Sequence, residues 1–420
     1  MDGKKELSHW LSKALIVCTG LMFLMPIIPR GVRPTAIALL VILSIVTSLQ
    51  QEQKFKWFYF LLNSGLFICY VISLLYTDDV AYGLKKLETG ASIIVFPFLF
   101  AIMNESYLKL LLKNRFKFMW LFIMATVLLC LGSFLKFLQV FNFEEILVHY
   151  VNIIRTDVSG WNIHPIYLSM HIGISIIFSV FIIKKGVTLW PKIALVVMNL
   201  ILIGFLMMVI KKGPIIALIL VLGYLLLMLK SRNLYIIFGA CAFLIIGTVI
   251  LNPKANDKFS ELLQIQDAET QEATSTDIRF SIYKCAVEIL PEAGIFGYGV
   301  GDGKNKLLNC YQETSAFLAE NRYNSHNQFL GIIIKVGFLG LLVFSLFLIY
   351  HMARAFDKRN YLLIAVTLFY CIVMFSENIM ERENGILYFS FFVNFFIMIN
   401  YNFPVKTSED RDSLQSVLKK

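Results

Sequence analysis

A histidine stands where a long polar stretch gives way to an apolar run. His326 is followed by Asn327, and Gly337 and Gly340 lie further along the same run. A neutral imidazole can accept a proton from a hydroxyl near neutral pH, and Asn327 could hold the histidine or a sugar hydroxyl. The two glycines would let a neighbouring helix approach closely. This pattern predicts a general base at the mouth of the run, but taken alone a histidine that only anchors an interface explains it slightly better.

Cations in the preceding polar stretches are candidate anion contacts. Arg279 begins an amphipathic pattern, and its planar fork suits bidentate contact with an oxyanion. The alternative is a helix-surface arginine paired with Asp277 or Glu288. Lys211 and Lys212 occupy a short turn between two apolar runs, where they could attract phosphate or anchor lipid headgroups.

Four further residues are weaker candidates. Arg322 lies four positions before the histidine and is the best of them. Arg30 and Arg33 lie in an early polar turn and could hold lipid phosphates instead. His164 opens another apolar run, whereas His171, two turns deeper, fits a packing role.

Carboxylates in the same regions could bind a divalent cation or form salt bridges. Asp78 and Asp79 are adjacent, and Glu377 and Glu381 are separated by one helical turn. Oxygen ligands of this kind hold Mg²⁺ in many proteins, but a solvated loop end is the commoner case. Lys335 lies deep in an apolar run and needs a wet cavity or a carboxylate such as Glu377; the sequence does not decide between them.

Composition identifies the class of protein. The chain has 420 residues, of which 58% are hydrophobic and 16% charged, against about a quarter charged in soluble domains. Apolar runs recur along the chain at lengths that can cross a hydrocarbon core. A soluble enzyme, a nucleic-acid-binding domain and a disordered chain are therefore excluded, and continuous rather than alternating apolar runs exclude an outer-membrane barrel.

The runs predict an all-α polytopic membrane protein. Basic residues are concentrated in alternate connections, 21 against 8 acidic ones, if both termini are cytoplasmic. We expect helices over 1–251, a large outer loop over 252–325, three more spans over 326–401 and a cytoplasmic tail over 402–420. The twelve predicted spans are 8–28, 34–50, 56–76, 86–103, 116–140, 163–183, 189–210, 213–229, 234–251, 327–350, 360–377 and 384–401.

The outer loop should carry short helices of its own. Thr276 fits the N-cap of a helix through Leu290, and a second helix is predicted near Lys304–Leu318. Cys285 and Cys310 are the two cysteines of this loop. An oxidising compartment would allow a disulfide between them, but two buried free thiols on separate helix faces are the reading we favour from sequence.

The segment around the histidine resembles the O-antigen ligases. His326 and Asn327, nine further residues, then Gly337 and Gly340 fit the family pattern H-[NSQ]-x9-G-x-x-[GTY]. The large outer loop just before the motif is also typical of this family and of the related O-antigen polymerases and protein O-oligosaccharyltransferases. Arg279 matches an arginine that begins the loop helix in the family. Lys211 and Lys212 stand where the family usually has Ser-Arg, which is a departure.

The resemblance implies a multi-pass glycosyltransferase of the bacterial inner membrane with its active site on the periplasmic side. Its donor would be a glycan on undecaprenyl pyrophosphate and its acceptor a hydroxyl of lipid A-core. His326 would be the base, and cations would take the place of a metal at the pyrophosphate, without a cofactor. Transfer in one displacement would invert the anomeric centre. Membrane lipids would be further partners, and nucleic acid would not.

Two other functions remain open at this point. A surface-polysaccharide polymerase would pass the glycan to a second lipid-linked unit, and it differs from a ligase in the acceptor. A polysaccharide transporter usually has two similar halves and a central cytoplasmic loop. The outer loop of this chain follows the ninth predicted span, which disfavours the transporter.

Overall fold

The computed structural model describes residues 2–50, 54–156, 163–231, 253–262 and 273–401, with a few positions between 239 and 251. Every regular element in these ranges is helical. Residues before the outer loop form α1 (Asp2–Leu24), α2 (Arg33–Gln50), α3 (Trp57–Ser73), α4 (Val80–Gly90), α5 (Ser92–Ile102), α6 (Glu105–Phe137), α7 (Phe143–Ile153), α8 (Pro165–Lys184), α9 (Leu189–Val209) and α10 (Lys212–Leu229). The rest form α11 (Pro253–Ser260), α12 (Ser275–Glu288), α13 (Leu290–Ala293), α14 (Gly303–Thr314), α15 (Ala316–Asn321), α16 (Gln328–Asp357), α17 (Tyr361–Met374) and α18 (Glu383–Tyr401).

The chain is a multi-pass helical membrane protein. Six segments of the described chain are long and apolar enough to cross a bilayer, namely Arg30–Leu49, Glu105–Phe137, Pro165–Lys184, Leu189–Val209, Lys212–Leu229 and Gln328–Asp357. Shorter apolar helices cover His9–Leu24, Trp57–Ser73, Ser92–Ile102, Tyr361–Met374 and Glu383–Met398. The predicted span 234–251 lies largely outside the described residues, so the number twelve stays a prediction.

Helix α8 forms the centre of the bundle. It packs against α6, α9, α10 and α17, and every residue from Pro165 to Val180 is buried. A helix that is apolar all round finds its place inside such a bundle. His171 lies here with its ring centroid 4.2 Å from that of Tyr388 and 5.9 Å from that of Phe122, as the predicted packing role requires.

The fourth predicted span is not one helix. Lys85, Lys86 and Glu88 lie in α4, and the chain turns at Ala91 before the apolar α5 begins. Helix α5 has 11 residues, fewer than the ~20 that span a hydrocarbon core. The charged residues at the start of this predicted span therefore belong to a separate amphipathic helix, α4.

The first helix of the outer loop begins earlier than predicted. Thr274, not Thr276, is the N-cap of α12, and a capping box joins its side chain and backbone to Asp277. One face of this helix is apolar, and its residues Ile282 and Ala286 are buried in a small core of the loop. Helix α12, which carries Arg279, is thus fixed by the capping box at its start and by the packing of its apolar face.

The second predicted loop helix is two helices, α14 and α15, separated at Ser315. Cys285 of α12 and Cys310 of α14 form a disulfide, with their Cα atoms 5.8 Å apart. The free-thiol expectation was wrong because both cysteines face the same small core rather than separate surfaces. The bridge ties the helix of Arg279 to the rest of the loop.

Helix α16 is interrupted near its middle by the glycine-rich turn that follows α13. Val336 and Gly337 leave helical geometry, and Gly337 adopts φ 67°. The backbone N–H groups of Tyr298 and Gly299 donate to the carbonyls of Ile334 and Lys335, both at 2.9 Å. In return, N–H groups beyond the break donate to the carbonyls of Gly294 at 3.2 Å and Ile295 at 3.0 Å. Backbone groups freed by the break are therefore satisfied by the inserted turn.

This insertion changes the interpretation of the motif glycines. A side chain at Gly337 would collide with the backbone of Ile295 and Phe296, so the element that approaches Gly337 is a turn and not a neighbouring helix. Gly340 makes room for the side chain of Val336 at the same break.

We predict that Gly337→Ala destabilises the protein by more than about 2 kcal/mol, because it adds a Cβ at positive φ and against backbone. Gly223→Ala is the matched control, since nothing lies within 4 Å of its Cβ position in α10 and alanine favours helix. Thermal unfolding in detergent measures both. Equal melting temperatures for the two variants would contradict the packing described for Gly337.

We also predict that Cys285→Ser with Cys310→Ser costs roughly 3 kcal/mol, the usual entropic value for a bridge closing about 25 residues. A reducing agent should lower the melting temperature of the wild type and leave the double variant unchanged. Cys69→Ser, which removes a free thiol, is the control. Full alkylation of Cys285 and Cys310 in unreduced membranes would refute the bridge.

Candidate functional site

His326 lies in a fixed turn just before α16. Its backbone adopts φ 42°, a left-handed conformation uncommon for residues other than glycine. The hydroxyl of Tyr283 in α12 lies 3.1 Å from the carbonyl oxygen of His326 and 2.9 Å from that of Phe375. The backbone N–H of His326 donates to the side chain of Asn324 at 3.1 Å. The turn is thus held from both sides, and strain held in place in this way is typical of functional sites.

The imidazole and Arg279 share one carboxylate. Nδ1 of His326 lies 3.4 Å from Oε2 of Glu377, while Nη2 of Arg279 donates to Oε1 at 3.0 Å. Nε of Arg279 also donates to the carbonyl of Ser376 at 3.2 Å. Burial by itself raises the pKa of Glu377, but His326 and Arg279 outweigh it and lower the pKa to about 2. Glu377 is therefore ionised at neutral pH and can orient the imidazole.

Further cations converge on this carboxylate. Burial and then neighbouring Arg155 lower the pKa of Lys211 to about 8. Burial, followed by Arg155 and Arg382, lowers the pKa of His164 to about 3. Neither Lys211 nor the two arginines form an ion pair with a carboxylate in the described part of the chain. We call Arg155, Lys211, Arg279, His326, Glu377 and Arg382 the Glu377 cluster.

Positive charge exceeds negative charge in this cluster. Arg279 pairs with the ionised carboxylate, Arg155 and Lys211 interact with it electrostatically, and Arg382 interacts with Arg155. These four cations lie after α7, between α9 and α10, in the first half of α12 and just before α18. Such an excess of partly buried cations is costly without an anion, so the cluster is suited to bind one.

The two adjacent lysines have different environments. Lys212 is buried, and its Nζ donates to Glu261 at 2.6 Å and to Thr276 at 2.7 Å. It thereby ties α10 to α11 and α12. Lys211 precedes α10 as its N-cap and is the lysine whose charge acts in the Glu377 cluster. We therefore keep Lys211 and not Lys212 among the candidate anion contacts.

The remaining sequence candidates lie elsewhere or have local partners. Asn327 caps α16, since its side-chain oxygen accepts from the N–H groups of Phe329 at 2.9 Å and Leu330 at 3.2 Å. Arg33 is buried and donates to Asn384 and, at 3.0 Å, to the carbonyl of Ile28. Arg30 is exposed in the turn before α2.

Glu381 is the centre of a second group of ion pairs. Lys335 pairs with Glu381, not with Glu377, and Lys86 lies 3.8 Å from the same carboxylate. Glu377 and Glu381 are 17% and 13% exposed, so neither belongs to a solvated loop end. Arg322 acts electrostatically on this side, on Tyr82 and Lys304, and is not among the groups that act on Glu377. The structure thus separates Arg322 from Arg279.

Sequence reasoning missed Arg155 and Arg382 and did not place Glu377 beside the histidine. Glu377 ends the predicted span 360–377 and Arg382 lies just before the predicted span 384–401, which is a signal that could have found these two. Arg155 lies eight residues before the nearest predicted span, and no such signal marks it. Their convergence depends on tertiary packing of α7, α12 and α18, which no local pattern reports.

Metal ligands are sparse among the described residues. The one group there with three ligand atoms within 4.8 Å consists of Cys285, Glu288 and Cys310, and its two sulfurs form the disulfide. Asp79 caps α4, and Asp302 accepts from the backbone N–H groups of Asp78 and Asp79. These acidic residues are therefore used as turn and helix caps.

Comparison with known families gives one match. Residues 197–345 match a family model described as O-antigen ligase. This range includes Lys211, Arg279, His326 and the break at Gly337, whereas Arg155, Glu377 and Arg382 lie outside it. No curated protein matches the chain significantly.

We predict opposite effects of truncating the two neighbouring lysines. Lys212→Met should destabilise the protein by roughly 1–3 kcal/mol, because it leaves Glu261 partly buried without its partner. Lys211→Met should not lower the melting temperature, since it relieves repulsion with Arg155. Lys212→Arg should restore stability. If Lys211→Met is the less stable of the two, the assignment of the lysines is reversed.

Proposed function

By the match of residues 197–345 this chain belongs to the O-antigen ligase family, and we propose that it transfers a glycan from undecaprenyl pyrophosphate to a hydroxyl of lipid A-core. The family indicates a membrane glycosyltransferase acting on lipid-linked glycans; the donor, the acceptor and the roles below are our proposal. The observation that supports it best is the Glu377 cluster, in which a histidine and its carboxylate lie among cations suited to a pyrophosphate.

The reaction follows from the positions of these groups. Nε2 of His326 takes the proton of the acceptor hydroxyl as its oxygen attacks the anomeric carbon. The bond from that carbon to the pyrophosphate oxygen breaks, and the electron pair leaves with the pyrophosphate. A single displacement inverts the anomeric centre. Pyrophosphate is already a good leaving group, so the chain needs to supply orientation and charge stabilisation.

Glu377 has a specific part in this mechanism. An ionised carboxylate beside Nδ1 favours the tautomer whose Nε2 can accept a proton, and it stabilises the imidazolium that forms. Lys211, Arg155 and Arg382 stabilise the charge that builds on the departing pyrophosphate. Arg279 takes part both in orienting the base and in binding the donor, because it pairs with Glu377 and interacts electrostatically with Lys211.

The decisive experiment is transfer by purified protein from a lipid-linked donor to lipid A-core in detergent. We expect His326→Ala to reduce the rate at least 10²-fold, as loss of a general base does, while the protein is made at normal level. Glu377→Gln should reduce it strongly, because the imidazole loses its partner. His149→Ala, an exposed histidine on α7, is the control. Near wild-type transfer by a stable His326→Ala protein would sink the proposed base.

The pH dependence tests the cation site. Lysine is charged below its pKa, so kcat/KM for the donor should fall as the pH rises through about 8, where Lys211 loses its proton. Lys211→Arg keeps its charge to above pH ~12 and should remove this fall. Lys212→Arg should retain the wild-type profile. A flat wild-type profile near pH 8, or a fall that persists in Lys211→Arg, would contradict a role for Lys211 in donor binding.

A further inference from the structure

A second group of cations lies on the other side of the turn that holds His326. Lys335 and Lys86 both approach Glu381, the latter at 3.8 Å, and the side chain of Asn324 donates to the same carboxylate at 3.4 Å. Nζ of Lys86 also lies 5.2 Å from the ring centroid of Tyr82. The carboxylate of Glu381 is thus already surrounded by donors.

Two more cations belong to this region: Lys304 lines the same cavity as Glu381, and Arg322 acts electrostatically on Lys304. Lys304, at the start of α14, and Arg322, after α15, form no ion pair with a carboxylate within the described ranges. Burial, then Lys86 and Arg322, lower the pKa of Lys304, so these charges oppose one another. We call Lys86, Lys304, Arg322, Lys335 and Glu381 the Glu381 cluster. It has four cations and one carboxylate, as the Glu377 cluster does.

A small cavity of about 20 Å³, enough for roughly one water molecule, lies between the helices that carry these groups. It opens between α4, α14 and the first half of α16, with Val300 and Ile334 on its apolar side. Its polar lining comes from Tyr82, Lys86, Lys304, Asn324, Lys335 and Glu381. The side chain of Asn378 lies beneath, 2.8 Å from Oγ of Ser325 and 3.2 Å from Oε1 of Glu381. The groups are therefore held by structure that does not depend on a ligand.

The two clusters are close neighbours. Glu377 and Glu381 are four residues apart, so their Cα atoms are separated by at most about 14 Å. On the other chain segment, Arg322 and His326 are also four residues apart. A transfer reaction with a lipid-linked donor and a lipid-linked acceptor has two phosphate-bearing substrates, and both must reach His326.

We infer that the Glu381 cluster binds a phosphate group of the acceptor, while the Glu377 cluster binds the pyrophosphate of the donor. This inference rests on the proposed function and extends it to the second substrate. The cavity is too small to enclose a phosphate, so the half-buried Lys304 and the exposed Arg322 contact the acceptor phosphate outside it, and Glu381 holds Lys335 and Lys86 in place. The phosphate belongs to lipid A-core in a ligase or to a second lipid-linked glycan in a polymerase.

The first test needs no transfer activity. Inorganic pyrophosphate is titrated calorimetrically into the purified full-length protein, and we expect two sites. Lys304→Ala with Arg322→Ala should lose one of them, and Lys211→Ala with Arg155→Ala the other. Lys306→Ala, an exposed lysine on the same helix as Lys304, should keep both. A single site in the wild type that persists in the Lys304/Arg322 variant overturns the inference, whether or not the protein transfers glycan.

The second test uses kinetics at varied acceptor. Lys304→Ala and Arg322→Ala should each raise KM for the acceptor about tenfold, with KM for the donor and kcat at saturating acceptor unchanged. Two acceptors are compared, lipid A-core and a lipid-linked repeat unit; the one whose KM responds identifies the source of the phosphate. A change in donor KM instead, or no change with either acceptor, would refute the assignment. If the wild type binds pyrophosphate at two sites but transfers no glycan, the proposed function is rejected and the assignment of two anion sites stands.

Discussion

The interruption of α16 is the constraint on which the site depends. A helix inside a bundle cannot leave backbone N–H and carbonyl groups unpaired without a cost of several kcal/mol. Here the groups on both sides of Val336 and Gly337 pair with the segment that contains Gly294 and Gly299. The loop before His326 is therefore joined to α16 by main-chain hydrogen bonds, eight to thirteen residues after His326. These hydrogen bonds therefore help to position both His326 and the loop helix that carries Arg279.

Ion pairs hold the rest of the site around the connection between α17 and α18. Glu377 and Glu381 are two partly buried carboxylates of this connection. Glu377 is paired with Arg279 and His326, and Glu381 with Lys335 and Lys86. Removing either carboxylate would leave partly buried positive charges facing one another, which is far more costly than losing one surface ion pair. The two acids are paired with protein cations, which fixes the positions of those cations around the connection. Tyr283 and Asn378 connect the same segment to the turn of His326.

Local signals in the sequence predicted the helical membrane fold and the family to which residues 197–345 match. Apolar runs report spans, and the short motif that begins with His326 can be recognised without knowing its surroundings. The sequence did not predict that Glu377 faces His326 or that Lys335 pairs with Glu381, since those contacts join residues far apart in the chain. The break in α16 was also invisible, because Gly337 fits a close helix contact as well as a positive φ. The disulfide was missed for the same reason: Cys285 and Cys310 face one small core only after α12 and α14 pack.

The Lys211–Lys212 pair shows which parts of such a site can vary. The family usually has an arginine at the position of Lys212, yet here Lys212 is neutralised by Glu261 and Lys211 supplies the charge. A point charge attracts a polyanion from more than one position, because the Coulomb energy falls only gradually with distance. A base that must remove a proton from a hydroxyl has no such freedom, since proton transfer requires heavy atoms about 3 Å apart. Consistent with this difference, cations from four separate helix ends can serve the Glu377 cluster, whereas His326 is fixed through its backbone, its carbonyl and its ring. We therefore expect the cations of the cluster to substitute for one another in part, and the histidine not to be replaceable by any neighbour.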